Sequence, residues 1–353
     1  MRCFQIEAFG EPLRVADQPV PTLTGTQVAL RTCTCGVCHS DIHLADGFFD
    51  LGDGQRVDLA RGLKLPLVPG HEVVGEVIAM GPEATGVQVG DRRIVYPWIG
   101  CGACSFCTSG DEQLCSRPRA IGVNVAGGYG ESVVVPHSRY LLEFAPLDEA
   151  QACVLACSGL TAFGALRKAL PFPAGGALLI IGAGGVGLSG IRLARSVLGV
   201  APIVAEIDHS KWDIAREAGA AECIDPSEAG AGRALLKATG GVAAAIDFVG
   251  AGASFAFGLE VLAKAAKLVV VGLLGGATRI SPALLPLKAA TIVGSYVGSL
   301  REMQELLRLA RSGALPPMPL TERPLDDANL VLEELRQRQV KGRVVLRHAA
   351  LAD

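Results

Sequence analysis

The spacing of apolar residues changes character near residue 150. Before that point, short apolar runs alternate with Gly-Pro, Gly-Asp and Gly-Gly steps, which is typical of short strands joined by tight turns. We predict strands at 27–32, 73–79 and 92–96, within an all-β, barrel-like region. The polar, glycine-containing segment 48–65 is predicted to be a loop.

After this point the pattern alternates between strands and helices. Ala- and Leu-rich helices are predicted over 148–170. The strands and helices predicted next are 177–181, 186–198, 202–207, 210–217, 245–249, 255–265 and 268–273. Alternation at this spacing predicts a doubly wound parallel sheet. The last predicted elements are helices at 300–311 and 326–338 and a strand at 343–346.

Composition narrows the class of protein. The 353 residues are 50% hydrophobic and 19% charged, with 44 glycines, which suits two well-buried α/β domains. The formal net charge of −3 gives no reason to expect nucleic acid or an anionic membrane as a partner. No uncharged apolar run reaches the ~20 residues of a membrane span, and Glu7 and Glu11 argue against a signal peptide. We therefore expect a cytoplasmic protein with reduced cysteines.

Four of the eleven cysteines lie in one short segment. Cys101, Cys104, Cys107 and Cys115 occur in the run CGACSFCTSGDEQLC. Four thiolates at this spacing can surround one Zn²⁺ as a tetrahedron and leave no coordination position open. A zinc ribbon for nucleic acid would need a second, distant Cys-x-x-Cys and a basic surface, whereas the flanking charges are mixed. The segment is therefore predicted to hold a structural zinc ion.

A second group of metal-ligating residues is spread along the chain. Cys38 lies in GVCHSD, His71 and Glu72 lie in PGHE, and Cys157 lies in CSGLT. Two thiolates and one imidazole would leave a position free for substrate, as a catalytic zinc requires. Spacing alone does not assign this set. His71 and Cys157 could be core side chains, and Cys35-Gly-Val-Cys38 could be a redox pair.

A glycine-rich turn joins a predicted strand to a predicted helix. Its residues are Gly182, Gly184, Gly185, Val186 and Gly187. This context is typical of a dinucleotide-binding turn, in which the helix N-terminus faces the pyrophosphate. Glu206, at the end of the next strand, could accept hydrogen bonds from the ribose hydroxyls of NAD and would repel the 2′-phosphate of NADP. The alternative is a turn that only packs a strand on a helix.

These segments together resemble the zinc-dependent medium-chain alcohol dehydrogenases. The motifs GVCHSD, PGHE, the four-cysteine segment, CSGLT, GAGGVG and KGRVVL occur in that family's order along essentially the whole chain. The resemblance implies an α/β protein with a GroES-like β-barrel catalytic domain and a Rossmann domain with a doubly wound parallel sheet. It implies a zinc-binding catalytic domain at 1–150, to which 292–353 return, and a dinucleotide-binding domain at 151–291.

The resemblance also implies roles for individual residues. The implied ligands of the catalytic zinc are Cys38, His71 and Cys157, with Glu72 just behind the metal. Asp41 would hydrogen-bond the free nitrogen of His71.

Proton transfer and cofactor binding are implied in the same way. Ser40 would contact the alcohol oxygen and start a proton relay to His43, although His43 could be a surface histidine. Besides the glycine turn and Glu206, the implied cofactor contacts are His39, Thr161, Val249, Gly272 and Arg343. Arg343 could instead be a charge at the rim of the site.

The implied activity is reversible NAD-linked oxidation of a primary or secondary alcohol, by hydride transfer from a zinc-bound alkoxide. Phe48, Phe49 and Trp98 would line the alcohol pocket and favour a medium-sized or aromatic alcohol, although they could be core residues. The segment 49–65 is longer than in shorter relatives and would shape the substrate entrance.

Several alternatives stay open at this point. They are a polyol or other secondary-alcohol dehydrogenase of the same superfamily, a zinc-free quinone or enoyl reductase, and a non-enzymatic nucleotide-sensing protein. The expected cofactors are two Zn²⁺ per chain, one catalytic and one structural, and NAD. The expected partner is a small alcohol or aldehyde, and relatives that pair their Rossmann sheets imply a homodimer or homotetramer.

Overall fold

The computed structural model describes residues 1–19 and 22–349, which form seventeen strands and eleven α-helices. The strands are β1 (Arg2–Gln5), β2 (Arg14–Asp17), β3 (Val28–Gly36), β4 (Phe48–Gly52), β5 (Gln55–Asp58), β6 (Glu72–Met80), β7 (Arg92–Val95), β8 (Ser132–Val135), β9 (Leu141–Leu142), β10 (Leu178–Ile181), β11 (Ile203–Ala205), β12 (Glu222–Ile224), β13 (Val242–Asp247), β14 (Leu262–Val270), β15 (Thr291–Gly294), β16 (Leu320–Pro324) and β17 (Arg343–Arg347). The helices are α1 (His39–Asp46), α2 (Ser105–Ser109), α3 (Glu149–Cys153), α4 (Ser158–Lys168), α5 (Gly185–Leu198), α6 (Trp212–Glu217), α7 (Ala231–Thr239), α8 (Gly252–Glu260), α9 (Leu284–Lys288), α10 (Leu300–Arg311) and α11 (Ala328–Arg336).

The first part of the chain and its C-terminal part share one seven-stranded sheet. Its order is β16-β17-β3-β6-β7-β9, and β8 also pairs with β3. Residues 28–31 of β3 pair with β8, whereas residues 34–36 pair with β17. The two partners therefore divide the length of β3, and residues 343–347 complete a sheet that begins at residue 28. The domain bounds at 150 and 291 stay predictions.

A second sheet has six parallel strands, in the order β12-β11-β10-β13-β14-β15. The order reverses between β10 and β13, and a crevice for a ligand is expected at the carboxyl ends of the strands there. All four residues of β10, with the sequence LLII, are buried, as is typical of a parallel strand covered on both faces. The glycine turn follows β10 directly and thus lies at this crevice.

The prediction of a loop at 48–65 is wrong over residues 48–58. Residues 48–58 form a β-hairpin, in which β4 pairs with β5 in antiparallel register. Asp53 and Gly54 both adopt positive φ, of 51° and 76°, as the tight turn of a two-residue hairpin requires. The Asp-Gly pair was the sequence signal for this turn.

The prediction of a helix at 255–265 is wrong after residue 260. α8 ends at Glu260, and β14 begins at Leu262 and continues through the sequence LAKAAKLVV. Ala and Lys favour helices locally, but pairing with β13 decides the conformation, because tertiary context overrides propensity. Among the described residues no single helix could cross a membrane by length and apolar character. One bent pair, Glu149–Ala156 with Ser158–Lys168 at 50°, meets those two criteria.

Tyr96 connects distant parts of the chain close to the candidate site. Its side chain is fully buried, and its hydroxyl donates a hydrogen bond of 2.9 Å to the carbonyl of Gly298. Its ring stacks on that of Tyr140, with the centroids 6.2 Å apart. This contact fixes the segment before α10 against the strand end that leads to Trp98.

Replacement of Tyr96 by Phe is expected to lower the free energy of unfolding by about 1–2 kcal/mol, because the buried carbonyl of Gly298 loses its donor. Chemical denaturation would measure the change. Tyr296 is 53% exposed, so Tyr296→Phe is a matched control expected to change stability by less than about 0.5 kcal/mol. Equal stability of the two variants would contradict the role given to the Tyr96 hydroxyl.

Candidate active site

Four metal-ligating side chains from three segments converge in the interior. The candidate ligand atoms of Cys38, His71, Glu72 and Cys157 all lie within 4.8 Å of one another, and all four residues are buried. The Sγ atoms of Cys38 and Cys157 are 3.9 Å apart, which suits two thiolates bound at about 2.3 Å to one zinc ion. The structure thus brings the predicted catalytic set together.

The polar atoms of this cluster fit a zinc ion. Neither ring nitrogen of His71 has a hydrogen-bond partner in the described part of the chain, and Glu72 Oε1 also has none. Buried polar atoms in that state are costly unless something binds them. Hydrogen bonding by Cys157 outweighs burial and holds the pKa of Cys38 well below its usual value, which favours the thiolate. Thiolates with an imidazole form a donor set that Zn²⁺ prefers.

Asp41 orients this cluster from behind. It is fully buried in the first turn of α1, and its carboxylate accepts hydrogen bonds from the backbone N–H of Cys38 at 2.9 Å and of Gly70 at 3.3 Å. The hydroxyl of Tyr129 donates a third, also at 3.3 Å. His71 Nδ1 lies on the side of this carboxylate, 3.4 Å from Asp41 Oδ1 but not hydrogen-bonded to it, so Nε2 is the ring nitrogen on the far side from Asp41 that could bind a metal.

Arg343 joins the cluster to the glycine turn. Its Nη2 lies 2.6 Å from Glu72 Oε2 and donates to the carbonyl of Val37 at 2.8 Å. Its stem lies so close to Gly185 that a Cβ there would collide with Arg343 Cδ. Burial raises the pKa of Glu72 to about 7, although Arg343 acts in the opposite direction. Arg343 is buried, so it is not a charge at the rim.

The second cysteine group also converges. The Sγ atoms of Cys104 and Cys107 are 3.5 Å apart, those of Cys104 and Cys115 are 3.7 Å apart, and those of Cys101 and Cys107 are 3.9 Å apart. Backbone N–H groups of Ala103 and Cys104 lower the pKa of Cys101 to about 6, which favours a thiolate. The geometry suits a closed four-thiolate zinc site.

The glycine turn has the shape that a dinucleotide needs. Gly182 has a φ of 92°, and a Cβ on it would lie 2.7 Å from Val249 Cγ2. A Cβ on Gly187 would overlap the carbonyl oxygen of Gly182, so only glycine allows this approach of helix to strand. Gly184 has no other atom within 4 Å of its would-be Cβ, which leaves space for a pyrophosphate at the start of α5.

Glu206 is held at the carboxyl end of β11. Its carboxylate accepts hydrogen bonds from the N–H of Ala183 at 2.7 Å and of Asp208 at 2.9 Å. The side chain is thereby fixed beside the glycine turn, where a ribose would lie.

The other predicted cofactor residues lie around the same crevice. Val249 and Gly272 follow β13 and β14, and their backbones touch. Thr161 lies in the first turn of α4, and its buried hydroxyl has no partner among the described residues. His39 is exposed at the start of α1, and Val186 is in the first turn of α5.

The predicted relay and pocket residues are only partly brought together. Ser40 lies two residues after Cys38 on α1, and the ring of His43 lies 4.8 Å from that of Phe49. The ring of Trp98 lies 5.3 Å from that of His71. Phe48 is next to Phe49 on a strand and therefore points to the opposite face, where the Arg56 guanidinium lies over its ring.

Tyr296 lies next to the predicted pocket residue Trp98, although sequence reasoning did not single it out. Its ring is 6.1 Å from the ring of Trp98 in an edge-on arrangement, so it lies beside the cluster. No motif surrounds Tyr296, so no pattern in the sequence marks it as part of the site. Its position depends on the return of the chain after β15.

The comparisons with known proteins agree with this geometry. Residues 24–146 match the family model described as alcohol dehydrogenase GroES-like domain, and residues 185–312 match the one described as zinc-binding dehydrogenase. NAD-dependent alcohol dehydrogenases of Sulfurisphaera tokodaii and Saccharolobus solfataricus are each 35% identical over 349 residues, covering 98% of this chain and 99% of each relative. The alcohol dehydrogenase of Aeropyrum pernix superimposes with a TM-score of 0.88 at 28% identity, covering 98% of this chain and 100% of that one. The chain belongs to the zinc-type medium-chain alcohol dehydrogenase family.

Family membership confirms the resemblance drawn from the motifs. It also confirms an enzyme built from GroES-like and Rossmann-type domains. Two cysteine-containing clusters compatible with zinc agree with a zinc-binding dehydrogenase. The roles of the individual site residues stay predictions.

We expect two zinc ions per chain after purification without chelator. Cys107→Ser is expected to retain one zinc ion and lose thermal stability, because a structural site contributes to folding. Cys38→Ser is expected to retain the other ion. Metal analysis would measure both, with Cys33→Ser as a control that keeps two ions, since Cys33 lies outside both clusters. One zinc ion in the wild type would contradict one of the two sites.

Proposed function

We propose that this protein is an NAD-dependent zinc alcohol dehydrogenase, which interconverts a primary or secondary alcohol and its aldehyde or ketone by hydride transfer. One observation carries the proposal: the open ligand set and the cofactor turn meet at Arg343, which contacts Glu72 on one side and Gly185 on the other. Metal-assisted hydride transfer needs these two sites to adjoin. Family membership supports the same class of reaction.

The chemistry would divide between a metal and the protein's own side chains. A zinc ion held by Cys38, His71 and Cys157 would act as a Lewis acid that makes an alcohol easier to deprotonate. Ser40 Oγ, two residues from Cys38, would accept the alcohol proton. His43, half-buried about one turn further along α1, would pass that proton to solvent.

The cofactor is proposed to be NAD. The two relatives from Sulfurisphaera tokodaii and Saccharolobus solfataricus are named NAD-dependent, which supports this choice. The fixed carboxylate of Glu206 supports it as well, because it would bind ribose hydroxyls and repel a 2′-phosphate. Bound NAD would accept the hydride from the alcohol carbon.

The substrate is proposed to be a medium-sized or aromatic alcohol. Phe49, Trp98 and Tyr296 present aromatic surface near His43 and His71. Aromatic surface favours apolar substrate groups and excludes water. These contacts favour an aromatic alcohol over a polyol.

We also propose a cytoplasmic homodimer or homotetramer. Leu287 of α9, just before the edge strand β15, is exposed, as are Leu273 and Leu274 after the neighbouring strand β14. An exposed apolar patch beside an unpaired sheet edge favours contact with a second copy of the chain.

The first test is turnover of a panel of aliphatic, benzylic and polyol alcohols with NAD⁺ and with NADP⁺. We expect oxidation of benzylic alcohols, a preference for NAD⁺, and loss of measurable turnover in Cys38→Ser. Cys33→Ser, outside the cluster, is expected to keep full activity. No turnover of any alcohol by zinc-loaded wild-type protein would overturn the proposed function.

His43 gives the proposed reaction a pH dependence. Burial lowers the pKa of His43 below its usual 6.5, and the neighbouring His39 and Arg336 act in the same direction, whereas Cys38 and Asp46 oppose it. The imidazole is therefore neutral near pH 7 and can accept a proton.

Alcohol oxidation is expected to fall as the pH decreases through the pKa of His43, below 6.5, because a protonated imidazole cannot accept a proton. His43→Gln is expected to lose this acid limb and up to about 10²-fold of the rate at higher pH. The measurement is kcat/KM against pH. His137→Gln, which changes an exposed histidine, should keep the wild-type profile. An unchanged acid limb in His43→Gln would remove it from the relay.

A further inference from the structure

The tip of the 48–58 hairpin touches a loop of the parallel-sheet unit. That loop, residues 271–277, follows β14. A Cβ on Gly275 would lie 2.6 Å from the carbonyl oxygen of Asp50, and a Cβ on Gly52 would lie 2.5 Å from the carbonyl carbon of Gly276 and closer still to the N atom of Ala277. The two backbones therefore meet with no side chain between them, and glycine on both sides makes this approach possible.

The loop is fixed on its other side. The N–H groups of Leu274 and Gly275 donate to the carbonyls of Val249 and Gly250, at 3.1 and 3.0 Å. A Cβ on Gly252, at the start of α8, would collide with the carbonyl oxygen of Ala277. The 271–277 loop is therefore fixed by its own contacts with the parallel-sheet unit, and the hairpin packs against it.

The hairpin itself is internally ordered. Asp50 Oδ1 accepts a hydrogen bond of 2.9 Å from the N–H of Gly52, which shapes the tip. At the base, the N–H of Leu59 donates to the carbonyl of Gly47 at 2.9 Å. A shift of the tip would therefore move the hairpin as a unit, including Phe49, whose ring lies against His43.

We propose that the contact of Gly52 with Gly275–Ala277 makes the hairpin a specificity-determining wall: it fixes Phe49 and so sets the largest alcohol that the pocket admits. This inference rests on the proposed function. The hairpin would contact the apolar part of the alcohol. Moving the wall outward enlarges the pocket for bulky alcohols and removes contact from small ones.

The chain offers a matched control for each side of the contact. Gly52 and Gly54 have φ of 82° and 76°, and alanine at either position meets the same backbone strain. Only at Gly52 would the new Cβ strike the loop, since a Cβ on Gly54 has no other atom within 4 Å. Gly275 and Gly276 form the second pair, with φ of 98° and 105°, and a Cβ on Gly276 comes no closer than 3.4 Å to another atom, the N of Gly252.

The experiment compares kcat/KM for a bulky benzylic alcohol with kcat/KM for ethanol in the four single alanine variants. The ratio is expected to rise roughly three- to tenfold in Gly52→Ala and Gly275→Ala, and to stay within about 1.5-fold of wild type in Gly54→Ala and Gly276→Ala. The double variant Gly52→Ala/Gly275→Ala should show no further rise, because both changes break the same contact. Equal ratios in the contact and control variants would overturn the proposal.

Hydrogen exchange on the zinc-loaded protein without substrate gives a second readout. Amides of residues 48–58 are expected to exchange faster in Gly52→Ala than in Gly54→Ala, since the tip has lost its support. Unchanged exchange would show that the contact does not hold the hairpin and would also overturn the proposal. Failure of the proposed function looks different, because the wild type itself would then oxidise none of the alcohols while the exchange difference persisted.

Discussion

One buried carboxylate determines the geometry of the candidate active site. Asp41 is inaccessible to solvent, and burying such a group is costly unless donors surround it. Its donors come from the N-cap residue Cys38, from Gly70 just before His71, and from Tyr129. Satisfying Asp41 therefore brings two predicted zinc ligands from separate segments to one point. The remaining ligand, Cys157, follows α3 and faces Cys38 across 3.9 Å.

Arg343 extends this arrangement to the cofactor site. It lies on β17, near the C-terminal end of the chain, and forms an ion pair with Glu72 of β6. The aliphatic part of its side chain packs against Gly185 at the start of α5. Three distant parts of the sequence must thus fold together before a metal ion and a dinucleotide can adjoin. Pairing of β17 with β16 at Arg343, and with β3 from Val345 onward, holds Arg343 there. The C-terminal return of the chain is for this reason part of the site and not an appendage.

The features best predicted from the sequence are those whose residues lie next to one another along the chain. The strand, glycine turn and helix at 178–198 and the four-cysteine segment carry their chemistry within one short run, so their spacing sufficed. The Cys38, His71 and Cys157 set spans three segments, and only the resemblance to a family assigned it. The hairpin at 48–58 was missed because its polar strands carry no alternating apolar pattern, and Tyr296 because only tertiary folding brings it to Trp98. At 262–265 local helix propensity was overridden because Leu262 and residues 267–270 pair with β13, and the irregular segment between them includes Ala265 with a φ of 60°.

Proton release gives an argument for a divalent ion that is independent of any relative. The two thiols of the cluster share their hydrogen bond unequally: Cys157 holds the pKa of Cys38 well below its usual value, whereas Cys38 and burial hold the pKa of Cys157 well above its own. A divalent cation at about 2.3 Å from both sulfurs would favour loss of the second thiol proton, because zinc binds thiolates and its binding releases protons. Burial likewise raises the pKa of Glu72 to about 7, and Arg343 opposes this shift. Cys38, His71 and Cys157 could then hold the ion and leave one tetrahedral position open for substrate, with Glu72 and Arg343 behind it.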